Sequence, residues 1–173
     1  MARNPWLDIP ASDYEGHMGP EHADQLAPLR AIFGEVYRSV RPRRLALLGC
    51  ATGNGLEQVD LAVTRAVVAV DINLEYAARA RARYRALGPA LEVRCADVTT
   101  CALPAGGFDL VHAALLFEHV EPEPLAARMV EWMAPGGDLR RGPAARGRLR
   151  AGHAVAVRQR GGPGGHHAPR LAG

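Results

Sequence analysis

The chain has 173 residues, of which 48% are hydrophobic, 23% charged and only 5% aromatic, a balance that suits one domain with a sizeable core and excludes wholesale disorder. No apolar run approaches the roughly 20 residues of a membrane span, the N-terminus lacks the basic-then-apolar order of a secretory signal, and three cysteines without CxxC spacing argue against a disulfide framework or a zinc site, so a reduced, cytoplasmic protein is expected. The net charge of +3 is unevenly divided: residues 1–137 carry 13 arginines against 17 acidic residues, residues 138–173 carry eight arginines against one aspartate, and lysine is absent.

The first twenty residues, punctuated by Pro5, Pro10, Gly16, Gly19 and Pro20, read as an extended or looping lead-in. A helix is expected from Glu21, because Leu26, Leu29, Ile32, Phe33, Val36, Tyr37 and Val40 recur at helical spacing. Pro28 marks the start of its regular part or a kink, and Pro42 closes it. Four strand-like runs follow at 45–48, 67–70, 91–95 and 108–112. The first two are almost continuously apolar, as strands covered on both faces should be. Helical stretches are expected at 56–64, 73–87 and 124–133. In the second of these, alanines alternate with arginines, giving a small packing face and a solvated basic one. Such alternation predicts an α/β fold, a Rossmann-like, doubly wound and mostly parallel sheet with helices on both faces.

Open sheets of this kind bind ligands at the carboxyl ends of their strands. After the first strand comes Gly49-Cys50-Ala51-Thr52-Gly53-Asn54-Gly55, where glycines permit a sharp turn and close backbone approach. A helix start behind it would add unpaired N–H donors for an anionic group. Asp71, 22 residues beyond Gly49, closes the second strand and can accept from both hydroxyls of a ribose. Asp97, after the third, can accept from an adenine amino group, with Ile72 and Val98 as apolar faces for the ring. Together these build an adenosine site. A dinucleotide fingerprint is disfavoured, since G-x-G-x-x-G started at Gly53 lacks its third glycine and started at Gly49 its second.

The ordered set LALLGCATGNG, VVAVDIN, CADV, FDLVHAALLFEHV and WMAPGG, covering about 44–137, resembles the class I S-adenosylmethionine-dependent methyltransferases, in particular their small bacterial members. The resemblance implies S-adenosylmethionine as cofactor. Gly49, Cys50, Ala51, Gly53 and Gly55 would lie along its methionine and ribose portion, Asp71 and Ile72 at the ribose and ring, Asp97 and Val98 at the adenine, and Ala113 beside the methionine. Two positions depart from the family pattern. Leu47 stands where an acid often holds the cofactor's amino group, and Ala51 replaces the middle glycine of the turn. Transfer from a sulfonium needs mainly alignment and exclusion of water. A base is required only where the acceptor loses a proton, and Glu118 and His119 are the best-placed candidates. Tyr14 and His17 in the lead-in are positioned to cap the site. The acceptor expected for an acidic body with little aromatic surface is a small molecule; nucleic acid is disfavoured and no membrane partner is expected.

The domain reading is therefore 1–43 as lead-in and capping helix, 44–137 as cofactor-binding core, and 138–173 as a basic tail. In the tail, 26 of 36 residues are Gly, Arg, Ala or Pro. It reads as unable to supply the fifth, apolar strand, so the later strands are expected to be missing or scrambled and the fourth strand to be left as an exposed edge. A phosphate-contacting tail is one alternative, weakened by the lack of aromatic residues for stacking. A frame shift is the preferred one, since from Arg141 onward GC-rich codons re-read one frame over begin Val-Val-Leu-Gln-Leu. The alternatives for the whole chain are a non-catalytic or defective remnant that binds the cofactor, and a nucleic-acid-associated protein using this tail.

Overall fold

The computed structural model describes residues 4–135, 137–141 and 155–159. The apolar runs form β1 (Arg44–Leu48), β2 (Ala66–Asp71), β3 (Leu91–Cys95) and β4 (Leu110–Ala113), all parallel, with Leu45 of β1 opposite Val67 on one side and Leu110 on the other. Sheet order is β3-β2-β1-β4 and then two further strands. The helices are α1 (Ala11–Met18), α2 (Leu26–Val40), α3 (Leu74–Arg83) and α4 (Pro122–Trp132).

Side chains alternate across each strand, and the core divides accordingly. Ala46, Leu48, Val68, Val70 and Val111 pack with Leu125, Met129 and Trp132 of α4. Leu45, Leu47, Val67, Ala69 and Leu110 face the other way, onto Phe33 and Tyr37 of α2 and Ala77 and Ala80 of α3. This is the layered α/β arrangement expected from the sequence. The edges of β1 and β4 are pinned together where Asp109 Oδ2 accepts from the backbone N–H groups of Arg43 and Arg44, both at 2.9 Å.

Three expectations are corrected. The lead-in contains a helix, α1, with Pro10 at its N-cap position. Tertiary contacts hold it: Ala11 N donates to Glu75 at 3.2 Å, and Glu15 pairs with Arg79 and Arg83 at 3.0 and 2.7 Å. Arg81, Arg83 and Arg85 are exposed and Arg79 partly so, as expected of a solvated basic face, which also carries these ion pairs. Arg79 and Arg83 tie α3 to α1, and Arg81 Nη2 donates to the Val93 carbonyl of β3 at 2.6 Å.

The helix expected at 56–64 is one short 3-10 turn, Leu56–Gln58. Beyond it, Asp60 N donates to the Tyr37 hydroxyl, which donates to Thr64 Oγ1, which donates to the Pro42 carbonyl. Asp60 also caps a turn through Ala62 N at 2.9 Å. These bonds fasten the segment to α2 in a non-helical course.

The third correction concerns the tail. Strands β5 (Gly137–Arg141) and β6 (Val155–Gln159) are present, and β6 pairs antiparallel with β4, Val111 opposite Val157, while β5 pairs antiparallel with β6. The fourth strand is therefore not an edge. Pairing uses backbone groups and asks of the sequence only a proline-free run, which both segments supply. The rest of 138–173, on which the frame-shift and basic-tail readings also bear, lies outside the described residues.

Candidate active site

The carboxyl ends of the four parallel strands open into a cavity of about 390 Å³, lined from below by Leu47, Leu48, Gly49, Cys50, Ala51 and His112 and roofed by the N-terminal segment through Trp6, Tyr14, His17 and Met18. Strand β1 ends in Gly49, whose φ of +62° turns the chain over the sheet. Ala51, at φ +44°, takes the left-handed conformation that the sequence flagged as awkward for a residue with a Cβ. Its N–H donates to Asp71 Oδ2 at 2.7 Å, and Asn73 N donates to Asp71 Oδ1 at 2.9 Å. The glycine turn and the end of β2 are thus one hydrogen-bonded unit.

Asp71 is buried, and burial raises its carboxyl above the usual range despite the N–H groups of Asn73 and Ala51 that favour the anion. Each of its oxygens carries a second acceptor site, so the backbone bonds leave room for a ligand's hydroxyls. Asp97 also lines the cavity, beside Ile72 and Val98. Its Oδ1 is already engaged by the N–H and hydroxyl of Thr99, at 2.8 and 2.7 Å. The loop-capping role open to such a residue is therefore real, and Oδ2 takes no part in it.

Of the residues singled out in the sequence, Tyr14, His17, Gly49, Cys50, Ala51, Asp71, Ile72, Asp97, Val98, Glu118 and His119 come together around this cavity. Gly53, Gly55 and Ala113 do not line it. Gly53 and Gly55 support the turn from behind, where Tyr84 and Phe33 fill the space a Cβ would need. Ala113 is the last residue of β4 and points into the core, and Ala114 and Leu115 reach the cavity in its place. The helix start expected after the glycine turn is also missing, since a three-residue 3-10 turn stands there. The donors available at the turn are those of the turn itself.

Cys50 is buried, and burial pushes its thiol upward, so it packs and does not react. Tyr14 is likewise raised by burial and by the nearby Asp71 carboxylate. Its ring lies 5.1 Å from that of Tyr76 and 6.3 Å from that of Trp6. His119 meets Trp6 edge-on at 4.9 Å, so the segment after β4 and the N-terminal segment touch across the cavity mouth.

Sequence reasoning missed three residues here. Trp6 Nε1, the Tyr76 hydroxyl and His112 Nδ1 are buried without a hydrogen-bond partner among the described residues, and all three side chains line the cavity. Buried polar atoms are ordinarily satisfied.

Comparison with known proteins agrees with this geometry. Residues 47–137 match the family model described as a methyltransferase domain. An uncharacterised 37.1 kDa protein in transposon TN4556 of Streptomyces fradiae is 33% identical over 129 residues, which cover 68% of this chain and 36% of that protein. The chain thus spans about a third of the length of this curated relative. Among solved structures, a phosphoethanolamine N-methyltransferase of Haemonchus contortus in complex with phosphomonomethylethanolamine and S-adenosylhomocysteine is similar with a TM-score of 0.62 and 20% identity, covering 80% of this chain and 35% of that one. A SAM-dependent methyltransferase from Aquifex aeolicus is similar with a TM-score of 0.57 and 14% identity, covering 87% and 98%. At these identities the likeness to both structures is one of fold.

Proposed function

This chain belongs to the methyltransferase-domain family, and from that premise we propose that its cavity binds S-adenosylmethionine and that the protein transfers the methyl group to a small-molecule acceptor. The observation that carries the reading is the joining of the glycine turn to Asp71, with Ile72, Asp97 and Val98 beside it, at the carboxyl ends of β1, β2 and β3. When bound, that cofactor supplies an electrophilic methyl carbon, to which an acceptor lone pair bonds as the carbon–sulfur bond breaks and its electrons stay on sulfur.

The residues of the chain bind, orient and exclude water. Asp71 accepts from ribose hydroxyls with the acceptor sites left over from Ala51 and Asn73. Asp97 accepts from the adenine amino group through Oδ2, and Ile72 and Val98 flank the ring. Gly49, Cys50 and Ala51 run beneath the sulfur-bearing arm, with Gly53 and Gly55 shaping the turn from behind. Trp6, Tyr14 and His17 cover the cavity and keep water from the transferring carbon. Glu118 and His119 stand on the acceptor side, and where the acceptor atom carries a proton one of them removes it.

We place residues 1–43 as the cover and 44–137 as the cofactor-binding core. No helix among the described residues is long and apolar enough to cross a membrane. All three cysteines are free thiols, which fits the reducing cytoplasm to which we assign the chain.

Calorimetric titration of S-adenosylhomocysteine into the chain, with Asp71→Ala as control and circular dichroism to verify folding, tests the reading. Saturable binding that the substitution abolishes is expected. A folded wild-type chain that binds nothing would sink it. The base assignment fails if Glu118→Gln and His119→Ala both leave turnover intact.

A further inference from the structure

Asn73 stands at the N-cap of α3, two residues beyond Asp71, and is only 3% exposed. Its side-chain amide is engaged at both ends. Oδ1 accepts from the backbone N–H groups of Glu75 and Tyr76 at 2.8 and 3.1 Å, which caps the helix. Nδ2 donates to the carbonyls of Trp6 and Ile9 at 2.8 and 3.1 Å. Its backbone N–H donates to Asp71 Oδ1 at 2.9 Å. One residue thus joins the acid at the end of β2, the helix that follows it and the N-terminal segment.

The two ends of the amide have separable uses. A helix cap needs an acceptor alone, and serine or aspartate supplies one about as well as asparagine. The donors serve the N-terminal segment instead. Within that segment Leu7 N and Asp8 N donate to the carbonyls of Asn4 and Pro5, at 3.2 and 3.1 Å. The carbonyls of Trp6 and Ile9 take their donors from Asn73, 67 and 64 residues further along the chain. Trp6, fixed through its own carbonyl, lines the cavity and meets His119 edge-on at 4.9 Å. The far end of the segment is held differently, by the contacts of Ala11 and Glu15 with α3.

We propose that Asn73 is a positioning residue: its Nδ2 holds the backbone at Trp6 and Ile9 so that the Trp6 ring covers the cavity against His119. The role rests on the cofactor assignment above, because the bound cofactor is what the ring covers. Asn73 acts through Trp6 and does not itself line the cavity.

The test is a double-mutant cycle on the full-length chain, with S-adenosylhomocysteine binding read by calorimetry and folding by circular dichroism. Asn73→Ser keeps the helix cap and removes both donors to the segment. It is expected to weaken binding about 5- to 30-fold, the loss of two neutral hydrogen bonds. Trp6→Ala is expected to weaken it at least as much, and the double variant no further than Trp6→Ala alone. Acrylamide quenching adds a spectroscopic sign. Trp132 is 2% exposed and shielded, so increased quenching in Asn73→Ser reports a loosened Trp6. Wild-type affinity in Asn73→Ser or in Trp6→Ala overturns the proposal while the cofactor assignment stands. Losses that add in the double variant overturn it too, by showing that Asn73 acts through Asp71 or the helix. Unchanged quenching in Asn73→Ser has the same force. A folded wild-type chain that binds nothing overturns the cofactor assignment and this proposal together. Asn73→Asp, which also caps a helix, replaces the serine variant if that one does not fold.

Discussion

Gly53→Ala is expected to destabilise the protein by about 1–4.5 kcal/mol, in three parts. At φ +94° a residue with a Cβ is strained by about 1–2 kcal/mol. The new Cβ would lie 2.5 Å from Cε2 and 2.9 Å from Cδ2 of Tyr84. Moving that ring also disturbs its hydroxyl, which donates to Glu57 Oε2 at 3.1 Å, and overpacking of this kind costs about 1–3 kcal/mol. Against these, alanine stiffens the unfolded chain and returns about 0.4–1 kcal/mol. For a chain of this size the net loss lowers the thermal midpoint by roughly 2–4 °C per kcal/mol, readily seen by circular dichroism or calorimetry. In a Tyr84→Ala background the clash with the ring disappears and the same substitution should cost only the strain less the unfolded-state return, roughly 0–1.5 kcal/mol. Gly16→Ala is the internal control. Gly16 is inside α1 and its added Cβ meets nothing within 4 Å, so this change should stabilise by about 0.5–1 kcal/mol. A Gly53→Ala midpoint equal to wild type would refute the account of the turn.

Further outcomes follow from the same structure. His112 has a folded pKa near 4, below the unfolded value of about 6.5, so only the unfolded chain takes up a proton between those values. Stability is therefore full above about pH 6.5 and declines as pH falls towards 4, by up to about 3 kcal/mol in total. Urea titrations across this range should show a shallower decline in His112→Leu, and identical slopes would contradict the burial argument. Glu15→Gln removes the pairs with Arg79 and Arg83 that fasten α1 and should cost about 1 kcal/mol, with faster amide exchange in α1 as the specific sign. Burial opposes ionisation of Glu15, yet hydrogen bonds from Thr52 and Arg83 hold its carboxyl below the usual range. Its contribution is accordingly present above the unfolded glutamate pKa and lost as pH falls through the folded one. Thiol alkylation of the native protein should modify exposed Cys95 first and Cys101 more slowly, leaving buried Cys50 untouched until unfolding; early labelling of Cys50 would show that the turn opens.

Much of the parallel sheet and part of the site can be read from residue order, because the signals are local. A run such as Val67–Val70 is apolar on both faces only if both are covered. Asp71 follows it directly, so its place at the strand end needs no knowledge of the remaining chain. Gly49 and Ala51 are legible in the same way, as the turn that any strand-to-ligand approach requires.

What tertiary structure alone decided depends on groups distant in sequence. α1 is a helix because Glu15 and Ala11 find partners on α3, which its prolines and glycines do not announce. The segment after the glycine turn is not a helix because Tyr37, far back in the chain, captures the Asp60 N–H. Gly53 and Ala113 look like ligand contacts by motif position, yet one backs onto Tyr84 and the other faces the core. Strand β6 closes the edge of β4 through backbone bonds that its composition did not foretell. His112 reads as one more residue of a buried strand until the register sets it beside Leu47 and the cavity opens above it. Sequence records which side chains can be buried; whether a buried polar atom has a partner depends on distances across the fold.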